Sequence, residues 1–204
     1  SNPVYLDRME DELAGNPVLV KNIAQSFDDG LPGAVVESRA GDEYFVHFFR
    51  PKPKMLIIGA AHISAELIQL AKMYNFETVV IDPRNTFAQK THFKEYPNEL
   101  LVQWPQEVLP QMELNSDTYS VILSHDPKID DEALKILLSS SVSYVGALGS
   151  RKTHAKRVKR LEEAGIKASD IEKIDAPVGL DIGSQTPKEI ALSVMARIIQ
   201  VKNT

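Results

Sequence analysis

The sequence predicts an α/β fold: a doubly wound, mainly parallel sheet preceded by a small N-terminal α+β appendage that contains a β-hairpin. Three observations predict it. From Lys54 onward, short apolar runs alternate with segments of helical period, the pattern of a parallel sheet wrapped by helices. The first of these runs, Met55-Leu56-Ile57-Ile58, is apolar without a break, as a strand covered on both faces requires. Pro51-Lys52-Pro53 forbids continuous helix or central strand and reads as a linker. Residues 1–53 are therefore expected as a small module with a hairpin and linker, and residues 54–204 as a Rossmann-like domain. Right-handed crossovers place helices on both sheet faces.

The elements follow in order. Leu6 to Ala14 has weak helical periodicity. Gly33 to Arg39 and Glu43 to Phe49 read as two strands, and Ala40-Gly41-Asp42 suits the turn between them. Strand alternation sets Phe45 and His47 on one face and Tyr44 and Phe48 on the other, so one face is free for self-association. In the large domain, His62 to Tyr74 carries Ile63, Leu67, Leu70, Ala71 and Tyr74 on one helical stripe. Thr78–Ile81, Leu100–Val102, Tyr119–Leu123 and Ser143–Ala147 read as further strands. Asp130 to Ser139 reads as a helix with Asp130 as its N-cap, and Lys152 to Ala164 as a helix closed by Gly165. Ser169-Asp170-Ile171-Glu172 has a capping-box pattern. Thr186-Pro187-Lys188-Glu189 combines a capping box with proline at the first helical position.

Composition excludes several functions. The 204 residues are 43% hydrophobic and 25% charged, ordinary for a globular chain. Cysteine is absent, which removes a disulfide scaffold, a thiolate zinc site and a thiol nucleophile, and fits a reducing cytoplasm. The formal net charge of -5 argues against nucleic-acid coating, so an anionic ligand must meet a local basic patch. No run approaches the ~18 apolar residues of a membrane span. The first residues lack the charged and apolar regions of a signal peptide, so a cytoplasmic location is expected.

Five segments carry candidate chemistry, all placed near strand ends. Gly59-Ala60-Ala61-His62 joins the first large-domain strand to its helix, the position of a dinucleotide-binding turn. The turn glycine is present, while Ala61 and Ser64 stand where the other two glycines are expected. The helix amino end still offers N–H donors, and His62 adds another. Asp82, 23 residues after Gly59, suits a ribose diol, and Arg84 suits a phosphate; the plain alternative is Asp82 capping a following helix. Ser124-His125-Asp126-Pro127 pairs a histidine with an acid, suited to proton transfer or simply to capping a turn. Gly149-Ser150-Arg151 opens a helix in which Arg151, Lys152, Lys156, Arg157, Lys159 and Arg160 fall within ten residues. Its first backbone N–H groups suit an anion, and Lys156, Lys159 and Arg160 suit a solvated face. Ala176 to Gly183 forms a tight loop holding Asp181. None of these segments assigns a catalytic residue or a metal site.

Taken together and in this order, Gly59-Ala60-Ala61-His62, Asp82-Pro83-Arg84, Ser124-His125-Asp126-Pro127-Lys128, the string from Gly146 to His154 and the string from Ala176 to Gly183 resemble the C-terminal Rossmann domain of the xanthine dehydrogenase accessory factors, the XdhC/CoxI family. The resemblance covers about Lys54 to Val201. The family turn reads Gly-Ala-Gly-His where this chain has Gly59-Ala60-Ala61-His62. The resemblance implies a molybdenum cofactor (molybdopterin) chaperone. It would hold the phosphate-bearing pterin, in its simple or dinucleotide form, for sulfuration by a cysteine desulfurase. It would then pass it to a molybdenum hydroxylase client. Cofactor-binding residues are then Gly59, Ala60, Ala61, His62, Asp82, Arg84, His125, Asp126, Gly149, Ser150, Arg151 and Asp181, in a homodimer that binds neither nucleic acid nor membrane. The alternative is an NAD(P)-dependent oxidoreductase on the same edge, with His125 as proton donor.

Overall fold

The computed structural model describes residues 17–28, 33–37, 43–47, 51–85 and 93–204. The chain divides into two compact units, Ser1–Pro51 and Lys52–Thr204. In the first, helix α1 (Pro17–Asp28) packs on strand β1 (Gly33–Glu37), which pairs antiparallel with β2 (Glu43–His47). The pairing sets Val35 opposite Phe45, and both are exposed, while Ala34, Tyr44 and Val46 are half-buried. The sequence reading does not anticipate α1, although Leu19, Ile23 and Phe27 recur at four-residue spacing; Leu19 is buried while Val18 and Val20 are exposed. The expected Leu6–Ala14 helix and the Ala40-Gly41-Asp42 turn lie outside the described residues.

The second unit is a sheet of six strands, all parallel. They are β3 (Lys54–Ile58), β4 (Glu77–Ile81), β5 (Glu99–Leu101), β6 (Thr118–Ile122), β7 (Tyr144–Ala147) and β8 (Ile174–Asp175). Their spatial order is β5-β4-β3-β6-β7-β8, so the winding reverses between β3 and β6. A crevice opens at such a reversal, beyond the carboxyl ends of the strands.

Side-chain alternation explains why the strands read as solid apolar runs. Met55 and Ile57 enter one core with Leu67 and Ile68 of helix α2 (His62–Met73) and Val194 and Ile198 of helix α7 (Pro187–Lys202). Leu56 and Ile58 enter the other core with Leu134 and Leu137 of helix α4 (Pro127–Leu137) and Leu161 of helix α5 (Arg151–Glu163). Two short helices, α3 (Pro105–Val108) and α6 (Ala168–Ile171), complete the second face.

Two local expectations change, and one strand is added. Helix α4 is capped by Asp126, whose side chain accepts from the Lys128 N–H at 3.0 Å; Asp130 sits one turn inside and is buried. Pro127 at the first helical position sets that earlier start. Helix α6 begins after Lys167 with no side-chain cap, so the Ser169–Glu172 pattern is not a capping box. Strand β8 is only Ile174–Asp175, too short for a periodic signal. The Thr186–Glu189 capping box forms as expected, with Thr186 N–H donating to Glu189 Oε2 at 2.8 Å.

Gly59 is where fold and crevice meet. Its φ is +106°, and a Cβ there would lie 2.6 Å from both the Cα and the N of Ser124 at the end of β6. Only glycine lets β3 turn so close to its neighbour. Gly59→Ala is expected to cost at least ~2 kcal/mol, from strain at positive φ and from overpacking against backbone. Urea unfolding midpoints check this; a change under ~0.5 kcal/mol contradicts the close approach.

Candidate functional site

Asp82, at the end of β4, is fully buried and organises the crevice. Its Oδ2 accepts the Ala60 N–H at 2.8 Å and Arg84 Nη2 at 2.8 Å. Its Oδ1 accepts the Arg84 N–H and Arg84 Nε, each at 2.9 Å. Arg84 thus grips the carboxylate through two side-chain nitrogens, and its Nη1 also donates to the Ser124 carbonyl at 3.3 Å. The loops after β3, β4 and β6 are tied through one side-chain pair. Burial alone would raise the Asp82 carboxyl. The Arg84 guanidinium, together with the Ala60 and Arg84 N–H groups, outweighs burial and holds it below the ordinary carboxylate value.

This geometry redirects both residues. The acceptor positions of Asp82 are filled by protein donors, so a ribose diol reaches it only by displacing Arg84. Arg84 in turn spends its charge on Asp82. The turn above them stays open. Ala61 is the N-cap of α2 with no side-chain cap bond, so the helix presents its amino end to the crevice without a competing carboxylate or hydroxyl at that position. Its φ of -91° is ordinary, so alanine sits there without strain. Ser64, also buried, turns its hydroxyl back to the Gly59 carbonyl. His62 is exposed at the first helical position.

The end of β6 forms a second set. Ser124 Oγ donates to Asp130 Oδ1 at 2.5 Å and accepts the Asp126 N–H at 3.1 Å. His125 is exposed with a φ of +61°, held there by the turn around Ser124. Asp126 caps α4, the capping role that the sequence left open beside proton transfer. Asp130 lies 3.7 Å from Arg157 Nη2, and both are buried. Burial raises the Asp130 carboxyl, a rise that its Ser124 bond and Arg157 oppose.

Gly149-Ser150-Arg151 closes the crevice after β7. Gly149 has φ +134° and Ser150 caps α5, accepting the Thr153 N–H at 3.2 Å. Arg151 is exposed and makes no hydrogen bond or ion pair to the described residues. The loop after β8 is pinned to α7 by Leu180 N–H donating to the Ser193 carbonyl at 3.2 Å. Asp181 is exposed on that loop, with only a long 3.4 Å contact from the Gly183 N–H.

The structure therefore brings Gly59, Ala60, Asp82 and Arg84 into direct contact and joins them through Ser124 to the His125–Asp126 turn. It places Gly149, Ser150, Arg151 and Asp181 on the same carboxyl edge, with no hydrogen bond to that cluster among the described residues. Ser124 and Arg157 stand inside two of the candidate segments, but neither they nor Asp130 are among the binding residues that the sequence singles out. A readable signal existed for two of them. Asp130 shares the i, i+4, i+7 stripe of Leu134 and Leu137, and Arg157 stands four residues before Leu161. A charge on a core-facing stripe needs a buried partner.

The family model of the XdhC Rossmann domain matches residues 55–198. The chain is similar to a probable xanthine dehydrogenase component of Bacillus subtilis, 31% identical over 78% of this chain and 46% of that protein. It is similar to the molybdenum cofactor insertion chaperone PaoD of Escherichia coli, 32% identical over 76% of this chain and 42% of that protein. A solved structure described as a xanthine dehydrogenase from Bacillus halodurans superposes with a TM-score of 0.65 at 30% identity, over 79% of this chain and 45% of that one. The chain thus spans less than half the length of each of these relatives.

Removing Arg84 leaves the Asp82 charge buried and unpaired. Arg84→Met is expected to destabilise the protein by ~3–5 kcal/mol near pH 7. The sign with pH follows. A carboxyl held below its unfolded value of about 3.9 contributes stability that is present above that value and lost as pH falls through the folded pKa. In Arg84→Met burial dominates, so the penalty of the variant shrinks on acidification through about pH 4. Urea titrations of wild type, Arg84→Met and Asp82→Asn/Arg84→Met across this range check it. A penalty that is the same at all pH values, or equal in the double variant, contradicts the pairing.

Proposed function

The chain belongs to the XdhC Rossmann-domain family, and from that premise we propose that it is the cofactor-holding domain of a maturation factor for molybdenum hydroxylases of the xanthine dehydrogenase type. The observation that carries this reading is the 32% identity to a molybdenum cofactor insertion chaperone along 76% of this chain. The crevice suits the phosphate end of a pterin. Its donor set is an uncapped helix amino end, the exposed His62, and the Ser150–Arg151 opening of α5 with an exposed guanidinium, while Asp82 is neutralised by Arg84. Gly59, Ala60, Ala61 and His62 would hold the phosphate and Arg151 would neutralise it. His125, Asp126 and Asp181 would line its approach, with Gly149 and Ser150 setting the direction of Arg151. Asp82 and Arg84 would act by positioning the turn.

The cofactor supplies the metal and dithiolene chemistry when bound; the chain binds, orients and shields. It has no cysteine, so it carries no persulfide sulfur itself. A cysteine desulfurase would deliver the sulfur, and the client hydroxylase would receive the cofactor, in the cytoplasm. A homodimer would use the exposed Val35–Phe45 face of the hairpin. The dinucleotide form of the cofactor is disfavoured by the filled acceptor positions of Asp82.

Purified protein incubated with molybdopterin is expected to retain it, read as pterin fluorescence after oxidation of the desalted complex. Arg151→Ala is expected to weaken retention by ~1.5–3 kcal/mol, the worth of a charge-assisted hydrogen bond. No retention at ~50 µM protein and ligand contradicts the reading.

A further inference from the structure

Arg157 is the largest of the fully buried side chains, at 2% exposure. Its Nη2 is used: it donates to the Leu148 carbonyl at 2.9 Å and stands 3.7 Å from Asp130. Its Nε and Nη1 are buried and have no hydrogen-bond partner among the described residues. A guanidinium has no acceptor and stays protonated, so these N–H groups can be satisfied only by an acceptor brought to them. Leaving them bare is costly.

Arg157 is also one wall of a cleft of about 240 Å³ between α4 and α5. Its lining holds four cations, Lys152, Lys156, Arg157 and Arg160, against one carboxylate, Asp130. That carboxylate is already engaged by Ser124 and Arg157. Arg160 is held by Asp131, leaving Lys152 and Lys156 as exposed charges at the rim. Positive charges this close repel unless an anion sits among them. The volume is below the roughly 300–1,000 Å³ of pockets that enclose a whole drug-sized ligand, and suits one or two phosphoryl groups.

We propose that the α4–α5 cleft is a phosphoryl-binding site: Arg157 Nε and Nη1 receive a phosphate or pyrophosphate group, and Lys152 and Lys156 close over it. The site adjoins the Gly59–Arg151 crevice, sharing His125 with it and meeting it through the Ser150–Thr153 contact, but it does not rest on the identity of the cofactor there. Ser124 links the two, since it touches Gly59 on one side and Asp130 on the other. The guanidinium acts as a fixed fork, because Leu148 and Asp130 hold it in place before the anion arrives.

Calorimetric titration of the full chain with inorganic phosphate, pyrophosphate and phenyl phosphate at low ionic strength tests this. Saturable binding of pyrophosphate is expected, weakened at least tenfold by Arg157→Met and at least fivefold by Lys152→Gln/Lys156→Gln. The surface variant Lys202→Gln is expected to change it less than twofold. The lysine variant keeps the test decisive if Arg157→Met does not fold. Phenyl phosphate competing for the same site assigns the terminal phosphate of a larger ligand; binding of the inorganic anions alone assigns a free anion. Absence of saturable binding at millimolar anion overturns the proposal, as does binding that survives the lysine double variant unchanged. Molybdopterin retention in the lysine variant separates the two readings. Retention without anion binding overturns only the cleft, and anion binding without retention overturns only the cofactor.

Discussion

The carboxylate of Asp82 is the constraint on which the crevice depends. It is buried, it is charged, and its partners come from the loop after β3 and from its own loop. A buried charge is tolerable only when it is fully paired, so these loops have little freedom to rearrange. Arg84 extends the same constraint to Ser124 after β6. The three loops nearest the winding reversal are therefore one rigid piece, in which Gly59 can approach Ser124 to within touching distance. A phosphate that meets the amino end of α2 meets donors already fixed in place, which lowers the ordering cost of binding.

The same logic recurs one layer out. Asp130 and Arg157 lie on the core-facing stripes of α4 and α5 and meet under the β6 end. Asp130 is satisfied by Ser124, but Arg157 has more donors than the described residues supply acceptors. The Asp82 pair is closed and structural; the Arg157 pair is open and one-sided. A chain that is acidic overall thus concentrates unspent positive charge on one flank of its carboxyl edge.

Much of the fold was legible in the sequence, because both faces of the sheet are covered. Runs such as Met55–Ile58 and Tyr119–Leu123 can be little else than buried strands, and the caps at Thr186 and Ser150 mark helix starts by chemistry. What was not legible had weak local signals. β8 is only two residues long. Asp130 has the chemistry of an N-cap, but Asp126-Pro127 begins the helix one turn earlier. At the site, spacing located Asp82 but not its use. A sequence shows an acid after a strand and an arginine two residues on; it does not show that the arginine folds back to fill the acid's acceptor positions. Ser124, Asp130 and Arg157 come together only through the sheet order, which no local pattern encodes.

A carboxyl edge that holds a phosphate-bearing pterin, rather than a nicotinamide dinucleotide, should carry that ligand out of the cell. Native mass spectrometry of the protein, purified from cells that make the molybdenum cofactor, tests this most directly. A bound species that contains phosphorus and yields pterin fluorescence on release is the expected result. A protein that emerges carrying NAD(P), or takes up NAD(P) stoichiometrically while excluding the pterin, contradicts it.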